Sequence, residues 1–197
     1  MRKLVAGQFM SLDGVVEGPG PADDFEAAGW STPYFVPEIG QYIGASGAAA
    51  DGLLLGRVTH QAFRAAFAHA PAGDPAAAMM NAIPKYVIST TLTDPDWVNS
   101  TVLGGDMVEA VTRLKAGGNR TLNVSGSITL VQSLLRHGLL DQLDLLVHPV
   151  VVGRGRRLFE ADVPARLDLR ETRTFSSGVV LMSYRVRTDE HLKATIP

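Results

Sequence analysis

The chain contains no cysteine, and that absence excludes three kinds of chemistry. Without a thiol there is no disulfide bond, no thiolate nucleophile and no cysteine-ligated metal site. A lack of cysteine fits a reducing compartment, so we expect a cytoplasmic location. The five histidines show no HxH or HxxxH spacing, so a zinc site has little support and no metal is expected.

Long apolar runs and a strong charge imbalance are also missing. No stretch approaches the roughly 18 apolar residues of a membrane-spanning helix. The amino-terminal segment meets Gln8, Ser11 and Asp13 too early to form the apolar core of a signal peptide. Because the net charge is only −2, neither nucleic acid nor an anionic membrane is expected as a partner.

The composition that remains is ordinary for a globular protein, with 46% hydrophobic and 19% charged residues. A length of 197 residues suits one substantial domain better than two very small ones. No internal repeat or linker interrupts the chain. We therefore predict a single domain over residues 1–197.

Apolar strands alternate with amphipathic helices through most of the chain. Strands are predicted at residues 4–9, 53–55, 86–89, 122–124 and 143–152, and helices at 37–50, 59–67, 76–82, 106–115 and 128–136. The last two strands, at 167–172 and 179–187, have no helix between them and predict an antiparallel pair. This order indicates an α/β fold with a mostly parallel central sheet, flanked by helices, and an antiparallel C-terminal β-pair.

The segment of residues 121–159 carries the strongest local motif. Its first strand leads into a Ser125-Gly126-Ser127 turn, and a helix with one apolar face follows. Small residues at a helix N-terminus present N–H groups to an anion, so we predict a phosphate or pyrophosphate site here. The alternative is a turn kept small for packing, because it matches neither the six-residue glycine fingerprint nor a P-loop.

Two other predicted strands also end in polar turns, Gly56-Arg57-Val58-Thr59 and Ser89-Thr90-Thr91. The carboxyl ends of parallel strands share one edge of a sheet, where ligands bind. Two helix N-termini beside a polar recess suit a dinucleotide, with Arg57 as the partner of an extra phosphate. The alternative for Arg57 is a surface arginine that pairs with a carboxylate.

Further candidates border the same edge. Asp13 either binds substrate or closes an Asx turn. Trp30, in the long loop at 17–33, together with Tyr34 and Phe35 directly after it, either forms an aromatic wall for a flat heterocycle or anchors that loop. We interpret His148 as a packed core or interface residue. Three arginines, at 154, 156 and 157, either hold a phosphorylated substrate or form a solvated turn.

Four motifs, taken in order, resemble the dihydrofolate reductases and, more closely, the reductase domain of bacterial riboflavin biosynthesis. They are LVAGQFMSLDGVVEG, GLLLGRVTHQAF, KYVISTTL and NVSGSITLVQSLLRHGLLDQLDLLVHPVVVGRGRRLF. The resemblance covers residues 3–187 and implies a dihydrofolate-reductase-like fold, NADPH as hydride donor, a small-molecule substrate and a homodimer. The apolar residues Val147, Val150, Val151 and Val152, read as one strand, predict that the dimer contact lies near the last strands.

The resemblance also assigns cofactor residues. The first group, implied to bind the pyrophosphate and the 2′-phosphate, is Gly56, Arg57 and Thr59. Ser89 and Thr90 would lie at the adenosine end. The phosphates and the nicotinamide half would be held by Ser125, Gly126, Ser127, Ile128 and Thr129. The nicotinamide would be lined by Ala6 and by residues 12–16, which include Val15.

One departure from the resemblance concerns the substrate. Dihydrofolate reductases carry a pterin-binding carboxylate two residues after a proline on the first long helix. Here Ile39 occupies that place and Glu38 stands one residue early, which turns a side chain by about 100° on a helix. Ile39 therefore joins Asp13, Trp30 and Tyr34 as an expected substrate contact.

These observations predict an NADPH-dependent reductase of a small heterocyclic or ribosylaminopyrimidine substrate. It would be similar to the 5-amino-6-(5-phosphoribosylamino)uracil reductase of riboflavin biosynthesis. The alternatives are a genuine dihydrofolate reductase and a non-catalytic NADPH-binding module. The candidates for the proton donor are Asp13, Glu38 and a bound water.

Overall fold

The apolar strand segments assemble into one eight-stranded sheet in the computed structural model, which describes residues 1–21, 25–71, 73–159 and 164–187. The strands are β1 (Lys3–Ser11), β2 (Ala50–Gly56), β3 (Lys85–Ile88), β4 (Ser100–Leu103), β5 (Thr121–Ser125), β6 (Gln142–His148), β7 (Arg166–Thr174) and β8 (Val180–Arg187). Their order across the sheet is β4-β3-β2-β5-β1-β6-β8-β7. Every neighbouring pair from β4 to β6 is parallel, whereas β8 runs antiparallel to β6 and β7. The predicted fold class is confirmed.

In the described part of the chain, five α-helices and a short 3₁₀ helix (Thr32–Tyr34) connect the strands. The α-helices are α1 (Pro37–Ala49), α2 (Arg57–Phe67), α3 (Pro75–Ala82), α4 (Met107–Ala116) and α5 (Ile128–Arg136). Asp106 begins α4 as predicted, because its carboxylate accepts a hydrogen bond from the Glu109 N–H at 2.9 Å. Within the described ranges no helix is long and apolar enough to cross a membrane.

Alternation along the strands sends apolar side chains to both faces of the sheet. One face packs against α4 and α5, in a cluster that includes Leu54, Leu143 and Val131. The other face carries two clusters. Ile39 of α1 packs with Leu146, and Leu53 packs near α2 and α3. The helices therefore form two layers around the sheet.

Two strands differ from the sequence prediction. β4 is missing from it, because four residues of the composition STVL give too short a pattern to stand out. The strand predicted to reach residue 152 ends at His148, since Pro149 has no N–H to continue the ladder. Val151 beyond it is 66% exposed. The valine run therefore leaves the sheet, and the strand-based argument for the position of a dimer contact was wrong.

Candidate functional site

The carboxyl ends of β2, β3 and β5 lie side by side at one edge of the sheet. β2 pairs with β3 on one side and with β5 on the other, all in parallel. α2 begins directly after β2, and α5 begins after the turn that follows β5. The three polar turns singled out in the sequence therefore meet at one edge, as predicted.

Two of these turns are locked together by side-chain hydrogen bonds. The Gly56 N–H donates to Ser127 Oγ at 2.8 Å. The Ser127 N–H and hydroxyl donate to Thr59 Oγ1 at 2.9 and 2.8 Å. We call this set the Thr59–Ser127 lock. The lock uses the Thr59 and Ser127 hydroxyls, which the resemblance assigned to phosphate binding. A phosphate at this edge would therefore be met by the backbone N–H groups that begin α2 and α5.

Gly126 is required by the same lock. Its φ is +57°, and a Cβ at this position would lie 2.9 Å from Thr59 Cγ2. Its carbonyl oxygen also accepts a hydrogen bond from Nε2 of the buried Gln8 at 2.8 Å. The close approach that calls for glycine in this structure is thus to Thr59 of the neighbouring turn.

The N-termini of α1, α2 and α5 have no side-chain cap, whereas α3 and α4 are capped by aspartates. Of these, α2 and α5 begin at the edge where β2 and β5 end. The first N–H groups of an uncapped helix have no intrahelical partner, and the helix dipole favours an anion there. Arg57 Nη1 donates to Gln61 Oε1 at 3.0 Å rather than to a carboxylate. Arg156 Nη2 donates to Thr129 Oγ1 at 2.9 Å. The two helix ends thus carry positive groups that suit a pyrophosphate.

The third turn, Ser89-Thr90-Thr91, is closed by the Ser89 hydroxyl. Ser89 Oγ accepts hydrogen bonds from the N–H groups of Thr91 at 3.2 Å and Leu92 at 2.9 Å. Thr90 is exposed at the tip. Because the backbone bonds hold Ser89, Thr90 has the more accessible hydroxyl.

The face of the sheet is open over Gly7, in the middle of β1, and we call this open surface the cleft. Gly7 is exposed although β1 is a central strand, and a Cβ built on it would meet nothing within 4 Å. Gly7 lies in register with Ser125 on β5. The floor of the cleft therefore adjoins the Ser125 turn. A glycine inside a strand is typical of a place where a ligand approaches the backbone.

Two predicted nicotinamide contacts are corrected by this arrangement. Ala6 is fully buried in the cluster under α4 and α5, on the opposite face of the sheet from Gly7. Side chains one residue apart on a strand point to opposite faces, so the Ala6 side chain lies away from the exposed face at Gly7. Val15 is also fully buried, and it forms an isolated bridge with Arg157. Neither side chain lines the open cleft.

The aromatic residues of the long loop surround His148. The ring centroids of Trp30 and Tyr34 lie 5.2 and 5.9 Å from the imidazole. Trp30 is only 8% exposed, and its Nε1 donates to the Glu17 carbonyl oxygen at 2.8 Å. Trp30 is thus the loop anchor rather than a free aromatic wall. Tyr34 stays half-buried.

Ile39 is fully buried among apolar side chains that include Leu146, Phe175 and Leu181. It offers no hydrogen bond and reaches no open surface. Direct contact with a substrate was therefore wrong for Ile39 in this structure, because the first turn of α1 directs it into the core.

Asp13 acts as a clamp between two loops. Its carboxylate accepts hydrogen bonds from the Ser11 hydroxyl at 2.7 Å, the Val152 N–H at 3.0 Å and the Gly153 N–H at 2.9 Å. These bonds, the one from Ser11 first, lower the pKa of Asp13 to about 2. Asp13 is therefore ionised near neutral pH and holds no proton to donate.

Glu38 is held in a similar way at the start of α1. Its carboxylate accepts hydrogen bonds from the Ser176 hydroxyl at 2.6 Å and the Ser176 N–H at 3.4 Å. The bond from the hydroxyl is the main reason that the pKa of Glu38 lies below its usual value. Neither carboxyl candidate for the proton donor thus carries a proton near neutral pH.

The three arginines after β6 pair mainly with the first long loop. Arg154 forms an ion pair with Glu26. The Arg156 N–H donates to Glu17 Oε2 at 2.8 Å, and Arg157 Nε donates to the Asp13 carbonyl oxygen at 2.9 Å. Sequence reasoning missed this loop pairing. Its signal was the series of acids in the first loop and the matching series of arginines more than a hundred residues later.

We expect Asp13→Asn to lower the stability of the protein in a pH-dependent way. The pKa of Asp13 is lowered by folding, so its ionised form contributes stability above about pH 4, and this contribution is lost as the pH falls towards about 2. The free energy of unfolding, measured in urea, should be lower for Asp13→Asn than for the wild type near pH 7. This difference should narrow below about pH 4. Glu109→Gln, at an exposed helix pair, is the control. A difference in the free energy of unfolding that is independent of pH would contradict the stabilising role of the ionised Asp13 carboxylate.

The Thr59–Ser127 lock predicts a loss of stability for Thr59→Val. The substitution keeps the shape but leaves the Ser127 N–H without its acceptor, which should reduce the free energy of unfolding by about 1–2 kcal/mol. Gly126→Ala should destabilise as well, through its positive φ and the contact with Thr59. The matched control is Thr101→Val on β4, where the threonine is exposed. Equal unfolding midpoints for Thr59→Val and the wild type would disprove the lock.

Two sequence matches relate this chain to known proteins. The family model of the RibD C-terminal domain matches residues 2–181. The uncharacterised protein YyaP of Bacillus subtilis (strain 168) is 39% identical over 103 residues, which is 51% of this chain and 53% of YyaP. The match thus spans about half the length of that curated relative.

Two solved structures share the fold. A pyrimidine reductase-like protein from Corynebacterium diphtheriae superposes with a TM-score of 0.67 at 16% identity, covering 95% of this chain and 93% of its own. Dihydrofolate reductase from Enterococcus faecalis, complexed with NADP(H) and RAB-propyl, gives a TM-score of 0.63 at 14% identity and covers 95% and 97%. With the family model matching nearly the whole length, the chain belongs to the RibD C-terminal domain family.

Proposed function

We propose that this protein is an NADPH-dependent reductase of a small heterocyclic substrate of the ribosylaminopyrimidine type. The observation that carries the proposal is the pair of uncapped helix N-termini, α2 and α5, that lie beside the open cleft at Gly7. Membership of a reductase-domain family supports the reaction class, and the binding of NADP(H) by a protein of the same fold supports the cofactor.

The residues present fit NADPH. The N–H groups that begin α2 and α5 would hold the pyrophosphate, together with Thr129 and Arg156. Arg57 would meet the 2′-phosphate, and Ser89 and Thr90 would border the adenosine. The cleft floor at Gly7 leaves room for a flat ring. When bound, the cofactor supplies the hydride, and the protein supplies orientation and exclusion of water.

The proton for such a reduction would come from water in the cleft. Asp13 and Glu38 are both ionised near neutral pH, because hydrogen bonds from their neighbours stabilise their charged forms. Water is the remaining candidate, and the exposed floor at Gly7 gives it access.

Dihydrofolate is a weaker candidate for the substrate. Ile39 stands where a pterin-binding carboxylate would be expected and is fully buried in an apolar cluster. A protonated pterin ring would find no charged partner there. A pyrimidine substrate, as the name of the pyrimidine reductase-like protein from Corynebacterium diphtheriae indicates, makes no such demand.

We further propose that the protein acts in the cytoplasm as a homodimer, in riboflavin metabolism or a related pathway. The outer strand β7 is exposed along most of its length and is available for a contact between copies. Sedimentation at micromolar concentration tests this assembly, and a species of only about 21 kDa would exclude it.

The function is tested by titrating the purified protein with NADPH and NADH. Cofactor oxidation is then followed with 5-amino-6-(5-phosphoribosylamino)uracil, with dihydrofolate and with related pyrimidines. Oxidation with the pyrimidine alone supports the proposal. NADPH binding without turnover of any substrate would favour the non-catalytic module, and no binding would reject the proposal.

We expect NADPH to bind more tightly than NADH, and Arg57→Ala to remove much of the difference. A hydrogen bond to a charged group contributes about 1.5–3 kcal/mol, which corresponds to roughly a 10- to 150-fold change in Kd. The affinity for NADH should stay nearly constant. Gln61→Ala, which removes only the partner of Arg57, is the matched control. Equal affinities of the wild type for the two cofactors would reject this role.

Wild-type turnover of dihydrofolate should be at least a hundredfold weaker in kcat/KM than turnover of the preferred substrate, because no charged partner for the pterin is present. Ile39→Asp should not restore it. A carboxylate in the apolar cluster should destabilise the fold by several kcal/mol, whereas Ile39→Val should cost only about 0.5–1.5 kcal/mol. Steady-state kinetics and urea unfolding check both statements. A stable Ile39→Asp variant with brisk dihydrofolate turnover would reverse this conclusion.

A further inference from the structure

His148 is enclosed by aromatic rings at the end of β6. The centroid of Phe9 lies 5.0 Å from that of the imidazole, and the rings of Trp30 and Tyr34 stand nearly perpendicular to it, at 90° and 80°. The residue is only 1% exposed. We call Phe9, Trp30, Tyr34 and His148 the aromatic cage.

The two ring nitrogens of His148 have different surroundings. Nδ1 lies 2.8 Å from the Leu146 carbonyl oxygen. A carbonyl only accepts, so Nδ1 carries the proton and Nε2 presents a lone pair. Nε2 is buried and has no hydrogen-bond partner among the described residues. A buried polar atom without a partner is uncommon and indicates a group that is satisfied in another state of the protein.

The imidazole is neutral in this environment. Burial lowers the pKa of His148, and the backbone carbonyls of Leu146 and Met10 oppose that effect only in part. The three rings of the cage contribute no formal charge. A neutral acceptor selects an N–H or O–H donor and gives no attraction to a phosphate or carboxylate.

The cage adjoins the open cleft. Phe9 follows Gly7 by two residues and therefore lies on the same face of β1. Phe9 and Tyr34 are half-buried, so these two rings form the side of the cage that faces outwards. Trp30, held by its bond to the Glu17 carbonyl, forms the fixed side. Nε2 is closed off in this structure, so a flat ring over Gly7 would reach it once Phe9 or Tyr34 turns aside.

We propose that His148 recognises the substrate ring, its Nε2 accepting a hydrogen bond from a ring N–H or amino group of a neutral planar heterocycle. The inference rests on the proposed function, which places the substrate in this cleft. Its chemistry is that of a uracil or aminopyrimidine ring. The half-buried faces of Phe9 and Tyr34 would border such a ring, and the imidazole would accept from one of its donors.

Imidazole nitrogen NMR tests the contact directly. In protein labelled with ¹⁵N-histidine, the Nε2 resonance of His148 should have the position of an unprotonated nitrogen. It should move upfield when uracil is added and stay in place with 1,3-dimethyluracil, which lacks the ring N–H donors. His148→Phe identifies the resonance and keeps an aromatic ring in the cage. A wild-type resonance that stays fixed up to the solubility limit of uracil overturns the proposal.

Binding measurements separate this inference from the proposed function. His148→Phe should weaken uracil binding at least tenfold and change the Kd for NADPH less than twofold. His137→Phe, the same substitution at an exposed site, should change neither value. Unaltered uracil binding by a folded His148→Phe protein overturns the role of His148, even where NADPH binds. A wild type that binds uracil through His148 but no NADPH rejects the proposed function and leaves the contact in place.

Discussion

The hydroxyl oxygen of Thr59 is the point on which the geometry of the candidate site depends. It accepts two hydrogen bonds from Ser127, and Ser127 in turn accepts one from Gly56. These bonds bring the N-termini of α2 and α5 together. Two positive helix ends placed side by side disfavour each other, so an anion between them is stabilised by both. The lock therefore creates the electrostatic environment that a pyrophosphate needs.

The charged side chains of the loops around the cleft pair with groups of the neighbouring loop. Asp13, Glu17 and Glu26 of the first loop all contact residues 152–156 of the loop after β6. This pairing holds Trp30 and the start of the aromatic cage in place through the Glu17 carbonyl. Its consequence for chemistry is that Asp13 carries no proton near neutral pH. These ion pairs and hydrogen bonds do not involve Gly7 or the neutral imidazole of His148.

Much of the fold follows from local patterns. Helical periodicity predicted α5 to the residue, and the absence of a helix between the last two strands predicted their antiparallel pairing. The meeting of three turns at one edge followed from parallel topology. Prediction failed where the signal was short, as in β4, or where one residue ended a ladder, as Pro149 does after β6. At the candidate site, the burial of the Ala6 side chain on the face of β1 away from Gly7 was not predicted.

The sequence by itself determined most of the elements, their order and the edge at which three polar turns meet, because helix and strand periodicity and turn chemistry act between near neighbours. Only the tertiary structure decided which polar groups stay available. Ser127 meets Thr59, and Asp13 meets Val152, across 68 and 139 residues of chain. Whether a hydroxyl or carboxylate binds a ligand or its own protein depends on such distant partners. The same reason explains His148, whose buried, unpartnered Nε2 and surrounding rings arise from packing between β1, β6 and the long loop.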